Sequence, residues 1–348
     1  MEFKGPDGSL IGFPLITYDQ QSNTQTVEGK SLLDVIKFTD VTASAGLNVM
    51  TSFKEGENPE YRNFTHIETA DYDGDGDADL YVGGYDPASG SYKHYLFNND
   101  MGRFKDVSAE VGLNHSGRES SAVFADYDND GFLDLYITRE GGDILYQNAG
   151  KGVFKDVTSD AKIGSNTGGN KAVFFDLDHD GDLDLFETGP ASNLVFRNNG
   201  DGTFQERATE MGLSGTGANS QAATFGDFDD DGDIDLFVAN EKTSNSLFSN
   251  QRQGVYTDVT EKAGLKSKGG SSAVAVGDCN NDGFPDLLVT SMNGENTEMY
   301  LNKGNGTFEP AKNTRQMFAA LKQVKVNDVQ FLDFDNDGFL DILVAGES

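Results

Sequence analysis

The stretch "DLDHDGDLDLFE" runs from Asp176 to Glu187. Asp176, Asp178, Asp180 and Asp184 stand at positions 1, 3, 5 and 9, with Gly181 at position 6 and Glu187 at position 12. Five relatives of it lie elsewhere: "DYDGDGDADLYV" from Asp71, "DYDNDGFLDLYI" from Asp126, "DFDDDGDIDLFV" from Asp227, "DCNNDGFPDLLV" from Asp278 and "DFDNDGFLDILV" from Asp333. Their first aspartates are 55, 50, 51, 51 and 55 residues apart. Self-similarity near that period marks a solenoid, a propeller or an array.

The spacing is almost that of the helix–loop–helix calcium hand, which takes oxygens from positions 1, 3, 5, 7, 9 and 12 around a Gly at 6. The flanks exclude helices. "SSAVFAD", "KAVFFD" and "SSAVAVGD" enter the loops, and "DLYVGG", "DLYIT", "DLFVAN" and "DILVAG" leave them. These are short β-branched and aromatic runs bounded by turn residues, too short for helices with a 3.6-residue period. Position 12 is Val82, Ile137, Glu187, Val238, Val289 and Val344, so the bidentate acid of the calcium hand is missing from five of six loops. Glu187 is therefore expected to be a surface residue of a strand. The loop reads as a strand–loop–strand turn closed by its ninth residue.

A second motif keeps the same beat. Asn98, Asn148, Asn198, Asn250 and Asn302 each precede a Gly by four residues, and Phe104, Phe154, Phe204, Tyr256 and Phe308 follow that Gly by two. Asn and Gly supply the positive φ that hairpin turns need. Each repeat then reads as four strands: one into the acidic loop, one out of it, one to the Asn-Gly turn and one after it. A four-stranded unit of about 50 residues is the signature of a β-propeller. The fold class expected is all-β, a single propeller over residues 1–348, with six blades favoured and seven, one degenerate, as the alternative. Residues 43–348 carry the repeats, with acidic loops at 71–79, 126–134, 176–184, 227–235, 278–286 and 333–341. Residues 1–42, which include "GFPLITYD" and "KFTDVT", are the expected source of closing strands for the last blade.

The loops are built for a hard cation. Side-chain oxygens come from Asp71, Asp73, Asp75 and Asp79; Asp126, Asp128, Asp130 and Asp134; Asp176, Asp178, Asp180 and Asp184; Asp227, Asp229, Asp231 and Asp235; Asp278, Asn280, Asp282 and Asp286; and Asp333, Asp335, Asp337 and Asp341. Position 7, which is Asp77, Phe132, Asp182, Asp233, Phe284 or Phe339, offers a backbone carbonyl. Calcium accepts six to eight oxygens, whereas magnesium demands strict octahedral geometry and zinc prefers nitrogen and sulfur. Up to six Ca²⁺ are expected.

The loops and their period resemble FG-GAP/VCBS repeats, the calcium-binding blades of integrin-α-type propellers. The segments "FKDVSAEVGL", "FKDVTSDAKI" and "YTDVTEKAGL", with "FTDVTASAGL" from Phe38, are more closely similar to the cartilage acidic protein/ASPIC-UnbV group. The resemblance covers residues 38–348. It implies calcium in the loops on one face and a role in adhesion or extracellular recognition. The Phe-Gly/Gly-Ala-Pro element of integrin repeats is degenerate here, as in "YVGGYDPAS" and "FETGPASN", so integrin ligand habits do not carry over.

Composition narrows the function. With 58 acids against 26 bases and a formal charge of −32, the chain repels nucleic acid and anionic membrane. It has no apolar run long enough to span a bilayer, and its start, "MEFKGPDGSLIGF", shows no secretory signal. Cys279 is the single cysteine. Nucleophile, zinc-protease and phosphate-loop motifs are missing. His66, His94, His115 and His179 are scattered without metal-ligand spacing. The expectation is a non-enzymatic, monomeric calcium module that recognises protein or matrix. A carbohydrate-binding or carbohydrate-processing propeller is the alternative. Calcium modules of this kind work at about 10⁻⁴–10⁻³ M, which points to an extracellular, surface or periplasmic setting.

Overall fold

The computed structural model describes residues 15–19, 24–28, 41–47, 66–86, 89–150, 152–166, 168–252, 254–322, 324–334 and 336–347. They fall into two compact units, one within residues 41–269 and one within residues 1–40 and 270–348. Among the described residues, no helix is long and apolar enough to cross a membrane.

The first unit holds four antiparallel meanders. They are β3 (His66–Ala70), β4 (Asp79–Asp86), β5 (Ser91–Asp100) and β6 (Arg103–Asp106); β7 (Glu119–Ala125), β8 (Asp134–Arg139), β9 (Ile144–Asn148) and β10 (Phe154–Asp156); β11 (Lys171–Phe175), β12 (Asp184–Thr188), β13 (Leu194–Asn198) and β14 (Phe204–Glu206); and β15 (Ser220–Gly226), β16 (Asp235–Asn240), β17 (Ser246–Asn250) and β18 (Tyr256–Asp258). The second unit holds a fifth, from β19 (Ser271–Gly277) through β20 (Asp286–Ser291) and β21 (Glu298–Asn302) to β22 (Phe308–Pro310). It also holds two hairpins, β1 (Leu15–Asp19) with β2 (Thr24–Glu28), and β23 (Lys325–Leu332) with β24 (Asp341–Glu347). The fold is all-β, with the four-stranded blades of a β-propeller. The described pairings join β1 to β2 and β24 to β23. Of the segment "KFTDVT", Lys37–Asp40 lie outside the described residues.

Burial on both faces explains the apolar runs after each loop. In β8, Leu135 and Ile137 face the first blade while Tyr136 faces the third, and all three are fully buried. In β12, Leu185 packs toward the second blade and Phe186 toward the fourth. The core of the first unit is thus a stack of sheet-to-sheet interfaces, as alternate side chains of a strand require.

The recurring "DVT" and "AGL" residues lock the connectors. Asp156 accepts from both the backbone N–H and the hydroxyl of Thr158, whose Oγ1 in turn accepts from the Leu145 N–H. Asp106 with Ser108, and Asp258 with Thr260, repeat the arrangement. The next blade's fourth strand then docks on the connector: Phe154 N donates to Val111 O at 2.7 Å and Tyr256 N to Met211 O at 3.2 Å. Phe104 N donates likewise to Ala45 O at 2.7 Å, so residues 41–47 occupy a connector position ahead of the first blade. The close approach requires glycine. A Cβ on Gly46 would sit 2.3 Å from Phe104 O, and one on Gly112 would sit 2.7 Å from Phe154 O, both at positive φ.

Candidate metal centres in the acidic loops

Each loop lies between a blade's first two strands, and the aspartate at position 9 opens the second. Asp134 pairs with Ala125, the last residue of β7. Two residues per loop adopt positive φ. Position 6 is always Gly, and position 4 is Gly74, Asn129, His179, Asp230, Asn281 or Asn336. These reversals curl the backbone around the position-1 carboxylate. Asp126 accepts from the N–H of Asp130 and of Gly131 at 3.0 Å each, and Asp71, Asp176, Asp227, Asp278 and Asp333 repeat the pattern. The position-5 carboxylate accepts from the N–H of position 7, as Asp130 does from Phe132 and Asp337 from Phe339.

The position-9 carboxylate ties the loop to the blade. One oxygen of Asp134 accepts from Tyr127 N at 3.2 Å and the other from Asn148 N at 2.7 Å, and Asp184, Asp235 and Asp286 do the same at their counterparts. In the first blade the partner is Asn99, at 2.8 Å. Asn99, not Asn98, is therefore the counterpart of Asn148; the first blade's hairpin turn is one residue shorter, which shifts the spacing. The Asn side chain reaches back one blade. Asn148 Nδ2 donates to Tyr72 O at 2.9 Å, Asn198 to Tyr127 O at 2.8 Å and Asn250 to Leu177 O at 3.1 Å.

Position 3 differs. Oδ1 of Asp73, Asp128, Asp178 and Asp229 is buried and has no hydrogen-bond partner. In each of these loops, oxygens of positions 1, 3 and 9 lie within 4.8 Å of one another. The other position-3 oxygen accepts from Asn98 at 2.7 Å, Gln147 at 2.6 Å, Arg197 at 2.5 Å or Ser249 at 3.4 Å. In the fifth loop Asn280 donates its amide to Asp282 at 3.0 Å, so this loop has one charge fewer. In the sixth, Asp335 lies outside the described residues.

Burial, reinforced by the neighbouring carboxylates, pushes Asp79 up to about 6, Asp134 to about 8, and Asp184 and Asp235 to about 7. A loop whose ninth acid resists ionising and whose third keeps a buried oxygen without a donor fits a bound cation. The donors are all oxygen, which suits calcium.

Position 7 has a partner that the spacing did not reveal. Phe132 lies against Gly150, where a Cβ would come within 3.1 Å, and Phe284 lies against Gly304. Asp182 faces Gly200, and Asp233 pairs with Arg252 Nε at 3.0 Å. Asp77 accepts from Met101 N at 2.9 Å.

Two further expectations are overturned. Glu187 is 2% exposed, not a surface residue, and accepts from the Tyr136 hydroxyl at 2.8 Å. It points into the neighbouring blade interface, where burial and nearby Asp143 raise its pKa well above the usual range. The histidines, far apart in sequence, converge. His66, His94 and His115 gather around buried Glu119, while exposed His179 pairs with Asp233 at 3.3 Å. Burial lowers all three clustered imidazoles, His115 to about 4, and raises Glu119. Cys279 is buried and donates to Asp286 at 2.9 Å.

A family model described as FG-GAP-like repeat matches residues 71–137, 126–187, 176–238, 227–289 and 278–344. No curated protein matches the chain. Among solved structures, the chain is similar to a lectin of Agrocybe aegerita, whose structure describes recognition of non-reducing terminal N-acetylglucosamine. That match has 20% identity and a TM-score of 0.52, and covers 81% of this chain and 74% of the lectin. It is also similar to BBS1N in a complex with ARL6DN, at 11% identity and a TM-score of 0.50, over 82% of this chain and 77% of that one. At such identities the likeness shows the fold alone.

Proposed function

The chain belongs to the FG-GAP-like repeat family, and from that premise we propose that it is a non-enzymatic recognition module whose acidic loops hold calcium. One observation carries the reading: the buried, partnerless Oδ1 of Asp73, Asp128, Asp178 and Asp229. A buried anionic oxygen without a donor costs several kcal/mol unless a cation meets it. Asp71, Asp73 and Asp79, with their counterparts, would hold the ion; Asp75 and the position-7 carbonyl would extend the shell. The ion supplies stability, and the blades supply a rigid surface for a protein or matrix partner. An affinity of about 10⁻⁴–10⁻³ M, the range of extracellular calcium modules, would suit a setting outside the cytosol. Kinship with the cartilage acidic protein/ASPIC-UnbV group, resting on the "DVT" connectors, belongs to the same proposal.

The test is metal analysis and calorimetry on the full chain. At least four calcium ions are expected, and Asp128→Ala with Asp130→Ala should remove one of them. A chain that binds no calcium, or that melts identically in EGTA, would sink the reading.

Carbohydrate binding is the second reading, and the likeness to the mushroom lectin favours it. A glycan array that includes N-acetylglucosamine-terminated chains decides it. Signals lost on addition of the free sugar would support it; a blank array in calcium would reject it.

A further inference from the structure

We propose that His94, His115 and Glu119 form a second metal site, distinct from the acidic loops, for a divalent ion of the zinc class, with His66 orienting the carboxylate. All of them lie in the unit within residues 41–269. His66 opens β3, His94 is on β5, His115 is in the connector after β6, and Glu119 opens β7. The sequence separates them, but the packing of the first two blades brings them together.

The geometry has the parts such a site needs. One ligand atom from each of His94, His115 and Glu119 lies within 4.8 Å of the others. His94 Nδ1 is 3.5 Å from Glu119 Oε1, and His115 Nε2 is in hydrogen-bond contact with the same oxygen. The two imidazoles stack at 3.8 Å and 11°, so one ring must turn for both in-plane lone pairs to reach the same ion. Behind the ligands stands a supporting set. Tyr146 Oη lies 3.1 Å from His115 Nδ1, so that nitrogen can carry the ring proton while Nε2 presents its lone pair. His66 Nε2 is 3.2 Å from Glu119 Oε2, and the Tyr81 hydroxyl donates to the carboxylate at 3.2 Å. Gly83 leaves the room: a Cβ there would fall 2.4 Å from His66 Cε1 and 2.5 Å from Glu119 Oε2.

Two imidazole nitrogens and one carboxylate oxygen are a borderline donor set, suited to zinc, cobalt or nickel and poorly suited to calcium. The fourth position is left for water. His66 pairs with Gly83 while Ala70 pairs with loop residue Asp79, four pairs further along. At about 3.3 Å per residue that is roughly 13 Å, so the two kinds of site share no ligand.

The experiment uses the full chain in excess calcium, which occupies the oxygen-only loops, and titrates cobalt(II) as a spectroscopic probe, then zinc. One equivalent of cobalt with the intense visible absorption of a four-coordinate, nitrogen-ligated ion is expected, and zinc should displace it. His94→Ala and His115→Ala should abolish the band, and His66→Gln should weaken binding about 10–100-fold. Asp128→Ala with Asp130→Ala should leave the band intact, which separates this site from the calcium reading. Zinc should also shift the ring nitrogen signals of three histidines in the wild-type NMR spectrum, a readout that needs no variant. Wild-type protein that takes up no cobalt under calcium, a band that survives both alanine variants, or zinc shifts confined to His179 would overturn the proposal.

Discussion

The two ends of the strands in the first three blades both bury acids, and they treat them differently. At the loop end, Asp73, Asp128 and Asp178 each keep an oxygen that no donor reaches. At the far end, Glu119 and Glu187 each receive a tyrosine hydroxyl, from Tyr81 and Tyr136. A buried acid with a neutral donor can persist as the protonated acid, whereas a group of buried acids with an orphaned oxygen calls for a cation. The far end itself divides. Around Glu119 stand three imidazoles, and beside Glu187 stands a second acid, Asp143. Glu187 and Asp143 offer no nitrogen ligand, so that pair should hold a proton where the Glu119 group would hold a metal.

The largest effect that could break this contrast is chelation. At ten times its dissociation constant one ion adds about 1.4 kcal/mol, so the four complete clusters together add roughly 6. EGTA should then lower the melting temperature by on the order of 10 °C, with magnesium restoring little of it. Next comes Glu187. Glu187→Ala removes one of the two acids that face the Tyr136 hydroxyl and opens a cavity, costing about 2–4 kcal/mol, while Glu187→Gln keeps an acceptor and should cost under about 1. Denaturant unfolding of both, with calcium stoichiometry unchanged in both, checks that this acid belongs to the fold and not to a metal.

A pH series separates the two ends further. Asp79, Asp134, Asp184 and Asp235 rise in the fold from 3.8 to between about 6 and about 8. A raised carboxyl binds its proton more tightly folded than unfolded, so its stabilisation is full below about pH 4 and is lost as pH climbs through the folded values. Metal-free protein should therefore melt lower at pH 8 than at pH 5, and calcium should flatten that fall. A metal-free melting temperature that rises over this range would contradict the burial of these acids. The smallest effect concerns Arg197, whose guanidinium already meets Asp178 and Asp180 at 2.5 and 2.7 Å. It would compete with an ion held in the third loop. Arg197→Gln should tighten calcium there by about fivefold, the equivalent of about 1 kcal/mol, read by calorimetry.

The blades were legible in the sequence because their signals are local. The Asp-Gly loop, the strand runs on both sides and the Asn-Gly turn each act within one hairpin, so spacing alone placed them. Contacts between blades were not legible. Glu187 looked exposed because a single strand cannot say that both its faces are covered. The three histidines looked scattered because their meeting depends on one blade packing against the next. The Asn98 assignment failed for a smaller reason: counting to the glycine mistakes a shortened turn for a fixed interval. The pairing of position 7 with the hairpin was not legible either, since glycine stands opposite both Phe132 and Asp182 while Arg252 meets Asp233.

The Asn side chains that reach back one blade decide what counts as one interchangeable part of this molecule. Asn148, Asn198 and Asn250 each close the loop of the blade before their own. A segment that carries both members of such a pair therefore begins at one acidic loop and ends at the Asn beyond the next, as from Asp71 to Asn148, which is longer than one repeat. The matched family segments also start at one loop and overlap the next, but each stops short of that Asn, the first ending at residue 137. A splice anywhere between Tyr72 and Asn148 parts a socket from its plug, whether it falls at the loop or at the edge of the sheet. Exchanging a single repeat therefore hands each junction an amide that must find its carbonyl on a stranger. Chimaeras and repeat insertions in such chains should keep the Asn and the position-2 carbonyl it reaches compatible across every junction.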